Sequence, residues 1–428
     1  MGPFVPVVFL VMTVFSGAGA APVAPLDSVT PELQDGCTWE VVPSPNVSPE
    51  RNLLRGVSAV GTEAWAVGEY DAEPGAEIMN LRTLAMRWDG TAWSVVPSPN
   101  IGIGWNVLEA VTAVAPDEVW AVGWSAPMTN GGTPQTLTLL GDGQSWQVVD
   151  SPVITGGSEL LAIDSESGEI WAVGDRAGPG DGSTGVASLA IRRTGSSWDV
   201  LPTPDPGSAR NHLYAVDVVG PDDAWAVGRW RNVGETSRTF AIHWDGSAWT
   251  QVPTPNPGLD ASLEDVEGAA ADDVWAVGEF HNGTGYEALT LHWDGTAWSV
   301  VESPGGGNAL AVVAVDDAWN LGATFMHWDG SAWTSVPTPQ EGGSVGAANV
   351  IGPCDGWAVG RIIDDTGVFV TLTMRPADPS SSSEEWAVAS APPRGVIPVR
   401  RLGADEPPTV AASLVSRPGV IGSHGLRP

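Results

Sequence analysis

Lysine is missing from this 428-residue chain, so all 18 basic residues are arginine, set against 51 acidic ones. The formal net charge is −33, and no basic stripe interrupts it. Such a field repels phosphate backbones and anionic lipid, which excludes nucleic acid as a partner. Tyrosine is scarce, with only Tyr70, Tyr214 and Tyr286, and cysteine is scarcer, with only Cys37 and Cys354. No segment carries a 3.6-residue apolar period, which excludes a helical solenoid. The long apolar run at residues 4–15 is too short for a membrane helix, and the small residues Ala18-Gly-Ala20 follow it. That pattern reads as a signal peptide over residues 1–20, cleaved near Ala20. The mature protein is therefore expected to be secreted and not inserted in a membrane.

What the chain has in abundance is tryptophan, arranged in a repeat. A form of Trp-Ala-Val-Gly begins at Trp65, Trp120, Trp171, Trp225, Trp275, Trp319 and Trp357, with spacings of 55, 51, 54, 50, 44 and 38 residues. A version of Trp-Asp-Gly-x-x-Trp follows each copy but the seventh. In the first repeat, four short alternating segments end at Val60, Tyr70, Trp88 and Val96, with Asp89-Gly90 as a tight turn between the last two. Alternation bounded by Asp-Gly and Pro/Gly clusters is the hairpin signal. A unit of four short strands cannot bury its own apolar faces, so it must stack on copies of itself. The expected fold is all-β, a seven-bladed β-propeller of four-stranded antiparallel blades over residues 35–376. Residues 21–34 read as a linker. Residues 377–428, rich in Pro, Ser, Ala and Arg without any period, read as a disordered tail.

Ring closure is legible at the ends. A fourth-strand motif around Trp39 precedes the first repeat, while the seventh lacks an intact one. The N-terminal strand is expected to complete blade seven and hide an edge. A degraded copy around Trp386 competes for the same place; the Trp39 copy is favoured because it is intact. Cys37 falls in a turn between third and fourth strands, and Cys354 aligns with a turn between first and second strands. Antiparallel geometry puts both turns on one face, so a Cys37–Cys354 disulfide is expected to fasten the borrowed strand.

The Trp-Asp-Gly-x-x-Trp hairpins at Trp88–Trp93, Trp244–Trp249, Trp293–Trp298 and Trp328–Trp333 resemble shortened Asp-boxes. Asp-box propellers include sialidases and many secreted bacterial repeat proteins; Kelch propellers are similar in outline. The resemblance covers about residues 35–375 and implies the fold alone. A sialidase would need an arginine triad and a Tyr–Glu pair, and no Arg-Ile-Pro motif occurs here. Nothing catalytic carries over.

The turns inside the hairpins are short and constant, whereas the loops between second and third strands, and between blades, vary. Both variable classes fall on one face, which is the expected site. Of 22 tryptophans, 19 occupy repeat positions; Trp105, Trp124 and Trp230 do not, and all three fall on the variable face. Trp105 and Trp124 are expected to be neighbours. Exposed tryptophan beside polar groups suits sugar stacking or protein anchoring. Nearby Arg229, Arg231, Asp175 and Glu279 join them as candidate ligand contacts, as do His212 and His281 in variable loops. His243, His292 and His327 precede the repeated Trp-Asp-Gly and read as structural. Along the innermost strands, the column Ser58, Thr112, Asp164, Asp217, Glu267, Val313 and Asn349 is expected to face the central channel. There Asp164, Asp217 and Glu267 are candidate oxygen ligands for Ca²⁺, although no EF-hand-like loop accompanies them. The favoured function is a secreted, monomeric, non-catalytic binding module for a glycan or an extracellular protein. The alternatives are a glycoside hydrolase or lyase using channel or loop carboxylates, and a structural surface protein.

Overall fold

The structure, a computed structural model, describes residues 37–377 apart from 77–78, 128–131, 179–184, 341 and 353. The expected signal peptide, the linker, the tail and Trp386 lie outside the described residues. The described chain contains 28 strands and no helix. They form seven four-stranded antiparallel units spanning residues 52–95, 104–149, 158–201, 210–251, 261–300, 309–336 and 344–377, the last completed by Thr38–Val41. These are blades one to seven. Blades three and four share one parallel pair, Val186 opposite Arg210, so by hydrogen bonding they count as one eight-stranded sheet.

Local chemistry explains the motif. In six blades the innermost strand carries a bulge close to its variable-face end, as between Leu54 and Gly56 or between Leu213 and Ala215. The glycine of the motif lies beside that bulge, where the inner strand's carbonyl presses against it. A Cβ on Gly68 would stand 2.0 Å from the Leu53 oxygen, and one on Gly228 2.1 Å from that of His212. Only glycine fits such an approach. At the opposite end, each Asp-Gly hairpin is held by its own aspartate. Asp89 Oδ1 accepts the N–H groups of Thr91 and Ala92 at 2.8 and 2.9 Å, and Asp245, Asp294 and Asp329 repeat the pattern.

Packing energy lies mostly between blades. The motif tryptophan of one blade inserts against the third- and fourth-strand tryptophans of the next. Trp171 meets Trp244 and Trp249 at ring-centroid distances of 4.9 and 5.0 Å. Trp225 meets Trp293 and Trp298 at 4.9 and 5.2 Å, and Trp275 meets Trp328 and Trp333 at 4.9 and 5.3 Å. The other side of the same ring is covered within its own blade. His243, His292 and His327 lie over Trp225, Trp275 and Trp319 and bond to Asp223, Asp273 and Asp317 at 2.7, 2.5 and 2.9 Å. These histidines are structural, as their place in the repeat predicts.

The ring closes through blade seven. Thr38–Val41 pairs with Phe369–Ala377, and Trp39 receives Trp319 of blade six at 5.5 Å. On the other side Trp357 packs between Trp88 and Trp93 of blade one, at 4.8 and 4.7 Å. Cys37 and Cys354 are disulfide-bonded with their Cα atoms 5.5 Å apart across 317 residues of sequence. In the chain-entropy model, a loop that long is stabilised by about 5–6 kcal/mol when cross-linked. Trp39 therefore supplies the closing strand. Cys37→Ser is expected to lower Tm by several degrees, and reducing the wild-type protein should bring it to the same value. An unchanged melting curve after complete reduction would show that the bond holds nothing in place.

Candidate functional site

The channel column behaves differently from its sequence reading. Six of its seven members hydrogen-bond to the neighbouring blade, five of them to its backbone. Ser58 Oγ accepts the Ala113 N–H at 3.0 Å, and Thr112 and Ser165 share a hydrogen bond of 2.7 Å. Asp164 Oδ2 accepts from Val218 at 2.8 Å, Asp217 Oδ2 from Gly268 at 3.1 Å, and Glu267 from Val312. Asn349 Oδ1 accepts the Ala59 N–H at 2.8 Å across the closing seam, while Val313 packs against the apolar core. Asp265 adds a further link, accepting from Leu310 at 2.8 Å. The reason is the strand geometry: residues of an innermost strand project along the blade normal, toward the next blade.

Burial raises all four carboxyls above their ordinary range. Asp265 reaches about 7; for Asp217 and Glu267 burial is reinforced by the neighbouring Asp164 and Asp217 charges, respectively. Among the described residues no group of three or more His, Cys, Asp or Glu side chains is arranged to hold a metal ion.

The variable face gathers a different set. Its inner mouth is built by the bulged inner-strand residues and by the second-strand residue after the motif glycine. Arg55 bonds Glu69 at 2.6 Å and Glu109 at 3.1 Å, and Arg51 bonds Glu69 at 2.9 Å. Trp124 Nε1 donates to Glu109 at 2.9 Å. Across blades three and four, His212 Nδ1 and Asp175 lie 2.6 Å apart, His212 stacks on Tyr214, and Arg229 covers the Tyr214 ring at 5.5 Å. Glu264 is held by Ser262 at 2.6 Å and feels the charges of Arg229, Glu279 and His212.

Two acids at the mouth, Glu159 and Glu279, form no hydrogen bond or ion pair among the described residues. Glu159 stands directly opposite Asp175 in the strand pair. Like charges directly opposed in a sheet are unfavourable. Burial first, then the Asp175 and Glu109 charges, raise its carboxyl to about 7.

Outside the mouth lies an apolar patch. Ile103 is 77% exposed, Met79 47%, Ile101 46% and Trp105 39%. Trp105 is anchored by its Nε1 donating to the Met79 carbonyl at 2.7 Å, and its ring meets Trp124 edge-on at 6.4 Å. The patch therefore runs through Trp124 to Glu109 at the mouth.

Of the residues singled out in the sequence, Trp105 with Trp124, and Asp175 with His212, are brought together. Arg229 and Glu279 flank Glu264. Trp230 packs against the core between blades three and four under Arg238, 5.4 Å above its ring. Arg231 is half-buried opposite Arg210, and His281 Nδ1 accepts the Gly283 N–H at 3.1 Å with its ring against Tyr286. Sequence reasoning passed over Glu159, Met79 and the two isoleucines. Ile101 and Ile103, in a loop otherwise of Asn and Gly, were the readable signal.

No protein-family model and no curated protein matches the chain. Among solved structures, YCF48 bound to D1 peptide is similar at TM-score 0.49 and 17% identity, over 79% of this chain and 96% of that one. A protein of unknown function from Dyadobacter fermentans DSM 18053 has TM-score 0.47 and 12% identity, over 79% and 97%. YCF48 from Cyanidioschyzon merolae has TM-score 0.35 and 12% identity, over 79% and 98%. Likeness at this level carries no ligand or partner from those proteins to this chain.

The buried channel acids give a pH prediction with a definite sign. Their folded-state pKa values lie above the unfolded ones, so the stability they contribute is full in acid and is lost as pH rises through the folded values. Tm should fall between pH 5 and pH 8. Glu267→Gln keeps an acceptor for the Val312 N–H and should raise Tm at pH 8 by about 2 °C or more while leaving pH 5 nearly unchanged. Equal shifts at both pH values, in thermal melts of the two proteins, would contradict a raised carboxyl there.

Proposed function

We propose that this protein is an exported, monomeric, non-catalytic binding module that grips another extracellular protein through its variable-loop face. The observation that carries the reading is the group of exposed apolar residues Met79, Ile101, Ile103 and Trp105, two of them tied by the Trp105–Met79 hydrogen bond, beside a polar mouth. Exposed apolar surface of this kind on an otherwise strongly acidic molecule marks a place that another molecule covers. Loops on a rigid scaffold are where such contacts are normally built.

A glycan is the second reading, favoured by the accessible ring of Trp105. Its aliphatic neighbours and the engaged Nε1 suit a protein surface better, since sugar hydroxyls need free polar partners around the stacked ring. Hydrolysis has less support. Asp164, Asp217 and Glu267 each hold a backbone N–H of the next blade, so none is poised across a cleft from a second free carboxyl. Export is read from the apolar run and small-residue site at residues 4–20, and a disulfide is at home in an oxidising compartment. Kinship with Asp-box propellers is proposed only for the hairpin turns, where one aspartate holds two amides.

The test is paired arrays, one of extracellular proteins and one of glycans, probed with the mature protein with and without EDTA. An Ile103→Ser/Trp105→Ala variant is probed beside it. Saturable binding to protein features, weakened at least tenfold in the folded variant, is the expected result. Binding confined to glycans would move the ligand class, and EDTA sensitivity would bring in a cation. Absence of binding on both arrays would favour a structural role.

A further inference from the structure

Resting on the binding reading above, we infer that the partner presents a cationic apolar segment. Its aliphatic side chains lie on Ile103 and Trp105, and an arginine or lysine reaches into the channel mouth to pair with Glu159.

Three features of the molecule converge on that chemistry. The patch of Ile101, Ile103 and Trp105 is exposed, fixed by the Trp105–Met79 hydrogen bond, and joined to the mouth through Trp124 and Glu109. Apolar surface of that shape takes aliphatic side chains. Charge then distinguishes one kind of apolar segment from another. Around the mouth Glu69 and Glu109 have Arg51 and Arg55, Asp175 has His212, and Glu264 has Arg229 nearby. Among the described residues the charges that act on Glu159 are like ones, Asp175 directly opposite and Glu109 across the blade boundary. Glu279 also has no hydrogen bond or ion pair, but it does not face an acid across its strand pair, standing opposite Ser262. A ligand ammonium or guanidinium placed at Glu159 relieves that repulsion and completes an ion pair in a half-buried site, where charge-assisted hydrogen bonds are strong. An acidic or neutral segment leaves the repulsion in place. The net charge of −33 acts at longer range in the same sense, drawing cationic partners toward the molecule and turning anionic ones away.

Glu159 is also a favourable residue to alter. It supports nothing else by hydrogen bond, so Glu159→Gln removes the charge and relieves its neighbours without opening the fold; its melting temperature should equal or exceed the wild type's.

The experiment is selection of a random twelve-residue peptide library on the intact wild-type protein at low salt. Affinities of the recovered peptides are then measured on wild type, Glu159→Gln and Ile103→Ser. The expected result is enrichment of peptides carrying Arg or Lys among aliphatic residues. They should bind at least tenfold more weakly to each variant and more weakly to wild type as salt rises, with citrulline in place of the arginine reproducing the loss. Peptides without cations, weakened by Ile103→Ser yet indifferent to Glu159→Gln, would overturn the cationic inference while leaving the face as the binding surface. Peptides indifferent to both variants, or no enrichment by a folded protein, would overturn the inference and the reading on which it rests.

Discussion

Each blade holds its neighbour by a tryptophan. The second-strand ring of one blade fills a socket whose walls are rings of the next, so the core belongs to the interfaces and no blade owns a complete one. Edge-to-face contacts at these distances add roughly 0.5–1.5 kcal/mol each beyond the area they bury, and the contact recurs at all seven junctions. The socket tolerates change in its third-strand wall. In blade two that wall is Gly141, and in blade three Arg193 lies 4.4 Å above the Trp120 ring. What does not vary is the fourth-strand tryptophan, which is why the N-terminal segment must bring Trp39 to blade seven. A solenoid with one interface missing frays from that interface; a ring has nowhere to fray.

The two faces follow from this arrangement. On the turn face, aspartates hold the hairpins, and acid–histidine or acid–arginine pairs clamp the motif tryptophans of blades one and three to six from within the blade. On the other face the repeat ends at its glycine, and beyond it each blade is free to differ. Blade six differs most, with a second strand that stops at Leu321 and a third that begins at Phe325, leaving only a short connection between them. Blades one to three, by contrast, carry Met79, Ile101, Ile103, Trp105 and Glu159.

The spacing of the tryptophans made the architecture legible, because burial forces the same residue into the same place seven times. The disulfide was legible for the same reason, since two turns of known position left the cysteines on one face. The site was legible only in part. Trp105 and Trp230 look alike as departures from the repeat, yet Trp230 lies partly buried against the core while Trp105 remains at the surface. The carboxylates of the innermost strands were placed correctly along the chain. Their chemistry was hidden because the partner that each one bonds is a backbone amide of another blade, and a backbone amide has no signature in sequence. Glu159 was invisible in the opposite way. Its significance is the lack of a partner, which can be seen only once every neighbouring strand is in position.

Completion of blade seven by Thr38–Val41 sets an order of events. The segment that finishes the ring is made first, and Phe369–Ala377, which it must pair with, is made last. On a chain elongating at roughly 5–20 residues per second, the intervening stretch takes some tens of seconds to appear. Through that interval the first blade of the growing arc exposes an empty tryptophan socket, and the newest blade an unseated tryptophan. The first and last strands of such an arc also offer themselves to the corresponding strands of other copies, so productive closure depends on one molecule meeting its own beginning before it meets another's. The geometry that leaves the finished ring without an open end therefore makes crowding during synthesis its point of greatest exposure.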